Sequence, residues 1–224
     1  MNGTSRNPIA RLRARAGAVL WLLCFQFFLA EQVARLGWKQ AYSMRHDYIS
    51  DLGAVHCVLP PGAGVCSPLH AVMNASFILQ GCLIIFGALL VRPQFRRGAL
   101  MTSAFVILAV SGLGVLAVGL FPEDVSPGVH SLMAAIHLLC GNYGLLSLSK
   151  GLESPAVGEQ GLQPRLTLIA GSIGLVATLL LIRGQDFGLG IGLIERLAAY
   201  PLTLWLGSMG AFLLMRRARR TNDL

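Results

Sequence analysis

The stretch from Leu69 to Val91, LHAVMNASFILQGCLIIFGALLV, runs for 23 residues without a Lys, Arg, Asp or Glu. Crossing roughly 30 Å of hydrocarbon takes about 20 consecutive apolar residues as a helix. No water is available inside a bilayer to satisfy backbone N–H and C=O groups, so a segment of this length must satisfy them internally, as a helix does. Five further stretches read the same way, near 16–37, 99–121, 129–149, 165–183 and 197–215. The composition of the 224-residue chain agrees: 54% is hydrophobic and 12% charged, with a mean hydropathy of +0.65. A soluble domain carries about 25% charged residues. The expected fold is an all-α polytopic membrane bundle of six transmembrane helices, one domain over residues 1–224. The first stretch follows an Arg-rich start, but Glu31 and Gln32 stand where a small-residue cleavage site would be, so it reads as a retained helix.

Orientation follows from the basic residues. Arg6, Arg11, Arg13, Arg15, Arg92, Arg96, Arg97, Lys150, Arg165, Arg216, Arg217, Arg219 and Arg220 flank one side of the spans; Arg35, Lys39, Arg45, Arg183 and Arg196 flank the other. Lys and Arg accumulate in cytoplasmic segments, which places both termini in the cytoplasm of a plasma (inner) membrane protein. The net charge of +8 then serves topology and anionic lipid heads, and needs no nucleic acid. Seven of the ten acids fall at the opposite, outer side: Glu31, Asp47, Asp51, Glu123, Asp124, Asp186 and Glu195. All five histidines (His46, His56, His70, His130 and His137) lie in or near that outer half as well.

The segment 38–68 is the long outer loop, and loops of this length are usually functional. Tyr42, Met44, Tyr48, Ile49, Leu52 and Val55 recur near helical spacing, so a short amphipathic helix capping the outer face is expected, with Tyr42 and Tyr48 at the interface. Cys57 and Cys66 flank Pro60-Pro61-Gly62 in an oxidising compartment, and a disulfide between them is expected. Cys24, Cys82 and Cys140 lie within helices and read as packing groups. Trp21, Trp38 and Trp205 read as interface anchors or lipid-facing groups. Gly188, Gly190 and Gly192 suggest a tight turn or lid. Pro201 is expected in the first turn of the sixth helix, where proline is tolerated.

The polar residues suggest a site. His70 and Asn74 are one turn apart on the second helix; His130 and His137 are two turns apart on the fourth, so each pair shares a face. The loop adds Asp51, the 3–4 turn adds Glu123 and Asp124, and the start of helix six adds Glu195, Arg196 and Tyr200. Ionisable groups within a membrane are costly and normally face the protein interior or a wet cavity. Three readings are open. His70, His130 and His137 with a carboxylate could hold a divalent metal such as zinc, with Asp51, Glu123 and Asp124 as catalytic acids and bases in a metal-assisted hydrolysis. Without metal, Asn74, Glu195, Arg196 and Tyr200 could bind a lipid head group or small solute from the outer leaflet, with Arg45 or Arg183 also able to hold phosphate or carboxylate and a histidine moving protons. Or the same groups could only tie loops to helix ends.

Several motifs together resemble a known family. They are Ile49-Ser50-Asp51-Leu52-Gly53, Ser67-Pro68-Leu69-His70 leading to Asn74-Ala75-Ser76-Phe77, Gly119-Leu120-Phe121-Pro122-Glu123-Asp124 before His130, and Gly192-Leu193-Ile194-Glu195-Arg196 before Tyr200-Pro201. In this order they resemble the six-helix prokaryotic membrane proteins known as domain of unknown function number nine hundred and ninety-eight, over about residues 16–216. That resemblance implies an integral membrane protein with no assigned activity. A more distant likeness is to the metal-dependent membrane hydrolases of the alkaline ceramidase and progestin-receptor group. Those have seven helices and a His-x-x-x-His pair on the last, whereas this chain has six spans and no His after His137, so no catalytic role is carried over. The expected function is binding or modification of a lipid-like or small polar molecule in an outward-facing His/Asp/Glu pocket. The alternatives are a small-solute transporter or sensor without catalysis, and a structural or interaction protein.

Overall fold

The computed structural model describes residues 8–39, 41–57, 65–95, 97–152 and 162–222. Among them are six helices long and apolar enough to cross a membrane. They are α1 (Pro8–Leu36), α2 (His70–Val91), α3 (Ala99–Leu120), α4 (Pro127–Leu152), α5 (Leu162–Ile182) and α6 (Ile191–Asn222). No strand occurs among the described residues, and the chain is an all-α, multi-pass membrane bundle. Each helix packs on its neighbour in sequence, and α6 closes the ring against α1. That closure is antiparallel. Gly210 lies against the Ala18 carbonyl, Gly207 against the Phe25 ring, and Glu31 pairs with Arg196. One end of the ring therefore carries residues 41–57, hereafter the loop end, and the other carries Pro8 and Asn222.

Small residues set the helix spacing. A Cβ at Gly112 would sit 2.7 Å from the Ile85 side chain and 3.0 Å from the Gly81 carbonyl, so α2 and α3 pack nearly backbone to backbone. Gly114 lies equally close to the backbone of His137 and Met133 on α4. Without a hydrophobic force between helices in lipid, such close approach supplies the van der Waals contact that holds them. Buried amides add to it. Ser76 Oγ donates to Gln26 Oε1 (2.9 Å), Gln26 Nε2 to Gln80 Oε1 (3.2 Å), and Gln80 Nε2 to Thr203 Oγ1 (3.3 Å), joining α1, α2 and α6.

Four expectations change. α1 starts at Pro8, because the Arg-rich segment that ends the apolar stretch still favours helix. α6 starts at Ile191, so Pro201 lies inside the helix rather than in its first turn and removes the bond that its N–H would make to the Leu197 carbonyl. Among its described residues the loop forms a short 3₁₀ turn, Ser50–Gly53, in place of the expected helix, and the turn is buried. Its amides are taken by carboxylates instead of a helical ladder: Ser43 N donates to Asp47 Oδ2 (2.6 Å), Tyr48 N to Asp51 Oδ2 (2.8 Å), and Ile49 N to Glu195. Finally, Trp21 and Trp205 are core residues. Trp21 is fully buried, 6.0 Å from the Phe105 ring centroid and 5.7 Å from that of Trp205. Trp205 Nε1 is satisfied within the bundle by Thr167 Oγ1 at 2.8 Å, so it has no need of the interface.

Candidate functional site

Residues 41–57 are held on the loop end by a buried ion pair. Arg196 is 2% exposed and Glu31 0%. Arg196 Nη2 donates to Glu31 Oε1 (3.0 Å) and to the Tyr42 hydroxyl; Nη1 donates at 2.9 Å to the carbonyls of Met44, Asp47 and Gly192. Tyr200 OH reaches both Glu31 oxygens, at 2.9 and 2.7 Å. One guanidinium thus ties α1, α6 and the loop. The fork geometry requires Arg; an ammonium could not reach the same set. Nε of Arg196 has no partner. The alternating glycines make room for this seat. Gly190, at φ +92°, and Gly192 bring α6 under the carbonyls of Arg45 and Asp47, where any side chain would collide. Tyr42 is buried against the guanidinium, and that burial, more than the nearby charges, pushes its phenol above the usual range.

Beside this seat lie three carboxyl groups and an imidazole, close enough to feel one another's charge. Asp51 comes from the 3₁₀ turn, Glu123 from the α3–α4 turn, Glu195 from α6, and His130 from the first turn of α4. Asp51 lies beside Glu123. Burial first, then the neighbouring Glu123 carboxyl, push Asp51 up to about 8, although the Tyr48 N–H bond lowers it. Asp51 therefore holds its proton at neutral pH. Glu195 accepts the N–H groups of Ile49 and Ser50. His130 Nδ1 donates to the Phe121 carbonyl (2.9 Å), which leaves Nε2 facing Glu123. Nε2 lies 3.9 Å from Glu123 Oε2, near enough for charge to be felt but too far for a hydrogen bond. The Glu123 side chain is 30% exposed and that of His130 7%, so the carboxylate is the accessible member. Tyr48 borders the group. Its own burial, then the charges of Glu195, Asp51 and Glu123, raise its phenol.

The other expected site residues are elsewhere. Asp124 faces His56, taking its backbone N–H (2.6 Å) and its ring Nδ1 (2.9 Å). Burial raises the Asp124 carboxyl, but the N–H groups of His56 and Val55 and the His56 ring outweigh it and hold the group below its usual range. Asn74 Nδ2 donates to the Gly53 carbonyl (2.8 Å), pinning the 3₁₀ turn to α2. His70 Nδ1 donates to the Ser67 carbonyl (2.9 Å) at the start of α2. His137 is buried between α3 and α4, donating through Nδ1 to the Ser111 carbonyl (3.0 Å), while Ser111 Oγ returns a bond to the His137 carbonyl (2.9 Å). Among the described residues, no three His, Cys, Asp or Glu side chains gather closely enough to hold a metal ion. Cys57 and Cys66 form a disulfide next to His56; the prolines and Gly62 between them lie outside the described residues.

Sequence reasoning placed Arg196 and Tyr200 together but missed their partner. Glu31 carried a usable signal, being an acid near the end of an apolar span in a chain with an Arg near the start of another; such charges normally pair. Ser111 carried no signal beyond its place in a run of small residues. No curated protein and no solved structure gives a significant match to the chain. A family model described as "Protein of unknown function (DUF998)" matches residues 15–211, which run from α1 into α6, and the chain belongs to that family.

Proposed function

We propose that this protein binds a lipid-like or small polar molecule at its loop end and exchanges protons with it. The carboxyl pair Asp51–Glu123 serves as proton donor and His130 Nε2 as acceptor. The observation that carries this reading is a buried carboxyl, Asp51, raised by burial and by Glu123, with the His130 ring 3.9 Å from the same Glu123. The neighbouring acids Glu31, Asp47, Asp124 and Glu195 are instead satisfied by backbone N–H groups or a basic side chain. A carboxyl that keeps its proton at neutral pH, set near an imidazole, supplies the donor and acceptor groups that proton transfer requires. The excess of basic residues at the opposite end supports an orientation with the termini in the cytoplasm and the loop end outside the inner membrane. A molecule in the outer leaflet or the periplasm would then reach Glu123 first.

The experiment compares lipid and small-molecule extracts of cells that lack the native copy and express wild type, Glu123→Gln or His130→Ala. Thermal unfolding confirms that each variant is folded. The expected result is at least one species whose level follows wild type and whose turnover falls about 10²-fold or more in both variants, the usual contribution of a general acid or base. Identical extracts from wild type and folded variants overturn the reading.

A further inference from the structure

We propose that the outward face between α5 and α6 is a binding site for one anionic glycerophospholipid, with its phosphate on Arg45. Two grooves run along this face. The one nearer the loop end, of about 510 Å³, includes Arg45, Leu193, Arg196, Leu197 and Tyr200. The other, of about 440 Å³, continues past Ala170 and Trp205 to Met209. Ile173, Pro201 and Leu204 belong to both, so they form one track. From Arg196 to Met209 a helix rises about 20 Å, more than half of the roughly 30 Å hydrocarbon thickness, which is the depth of one acyl chain. The track exists because α5 is the least enclosed span, with 28% of its apolar window buried against 39% or more in the others. Pro201 also lacks the N–H that would bond the Leu197 carbonyl beside it.

Charge selects the occupant. The walls are apolar, and the charged lining residues are Arg196 and Arg45. Arg196 is already matched by Glu31. Arg45 is exposed and donates through Nε to the Leu189 carbonyl (2.9 Å) and through Nη2 to that of Gly188, which fixes the guanidinium at the mouth of the track. Among the described residues, no carboxylate lies within 4.0 Å of it. A cation held in place by carbonyls above an apolar track of chain length fits a phosphate joined to an acyl tail. A zwitterionic head would bring a positive group to the same spot. The track is separate from the carboxyl cluster: Glu195 turns to Ile49, while Leu193, Arg196, Leu197 and Tyr200 face the groove.

The test is native mass spectrometry of the full chain released from bilayers of equal phosphatidylglycerol and phosphatidylcholine. Phosphatidylglycerol should be retained about fivefold over phosphatidylcholine, the ratio expected for one basic residue near a lipid head. Arg45→Gln should abolish the preference, Leu204→Trp should remove the bound lipid, and Asp51→Asn should change neither. Equal retention of the two lipids overturns the proposal, as does an unchanged preference in a folded Arg45→Gln. So does displacement by soluble glycerol phosphate as readily as by lipid, which would mark a free phosphate site. A lipid-free dimer burying Ile173 and Leu204 would assign the face to a second copy, and equally overturn it.

Discussion

At the residue scale, the charges with the greatest structural effect are those with no route to solvent. Breaking one member of a buried pair leaves the other uncompensated, at a cost of about 3–5 kcal/mol. Arg196→Met leaves the buried Glu31 without its cation, with only Tyr200 beside it, and should lower the thermal midpoint in detergent by that amount of stability. The double variant Glu31→Gln, Arg196→Met should recover part of the loss, since no charge is then stranded; the double-mutant cycle measures the recovery. Asp51 gives a pH signature. Its folded pKa of about 8 lies above the ordinary carboxylate value, so between the two the folded state holds a proton that the unfolded state has lost. Stability therefore falls as pH rises through that window. Asp51→Asn should flatten the dependence of the melting temperature between pH 5 and 8. An unchanged slope would show that Asp51 titrates normally.

At the element scale, the segment 41–57 owes its shape to bonds made elsewhere. Its apolar residues sit near helical spacing, and in isolation that spacing favours an amphipathic helix. In the folded protein Asp47, Asp51 and Glu195 take its amides, Arg196 takes its carbonyls, and Asn74 and Ser67 Oγ hold Gly53 and Leu52. Side-chain bonds of this kind compete directly with a helical ladder. The disulfide acts on the same segment. Replacing Cys57 and Cys66 with Ser should cost about 2–3 kcal/mol, the value for a short closed loop. The loss should be local: faster amide exchange at Val55 and His56, whose N–H groups meet Asp124, with the exchange of α2 and α3 unchanged. Equal acceleration across the helices would show that the bridge supports the whole bundle.

At the scale of the whole molecule, the antiparallel closure of α1 on α6 puts Pro8 and Asn222 at one end and His56 at the other. In the orientation proposed above, a cysteine introduced at His56 in a background lacking the native cysteines should react with a membrane-impermeant thiol reagent in intact cells. One introduced at Lys150 should react only after lysis. The opposite pattern would invert the orientation and move the carboxyl cluster to the cytoplasmic side.

The six spans and the all-helical class were legible in the sequence because a bilayer imposes a length and an apolar composition on each element independently. The disulfide was legible because its two cysteines share one short segment. What a linear pattern could not carry was the pairing of polar groups from distant helices. Glu31 and Arg196 are 165 positions apart, and nothing local to either names the other. Asp51, Glu123 and Asp124 looked equivalent by composition. Only packing sent Asp124 to His56 and brought Asp51 against Glu123, because the direction of a side chain is set by the turn it leaves and the neighbour it meets. The same holds for the three helical histidines: their periodicity fixed their faces, while the neighbours that α2 and α4 meet decided that each ring would bond a different backbone carbonyl. Hydrophobicity is a property of each segment and was set by the chain alone; hydrogen-bond partnership is a property of the closed ring and was decided by the tertiary structure.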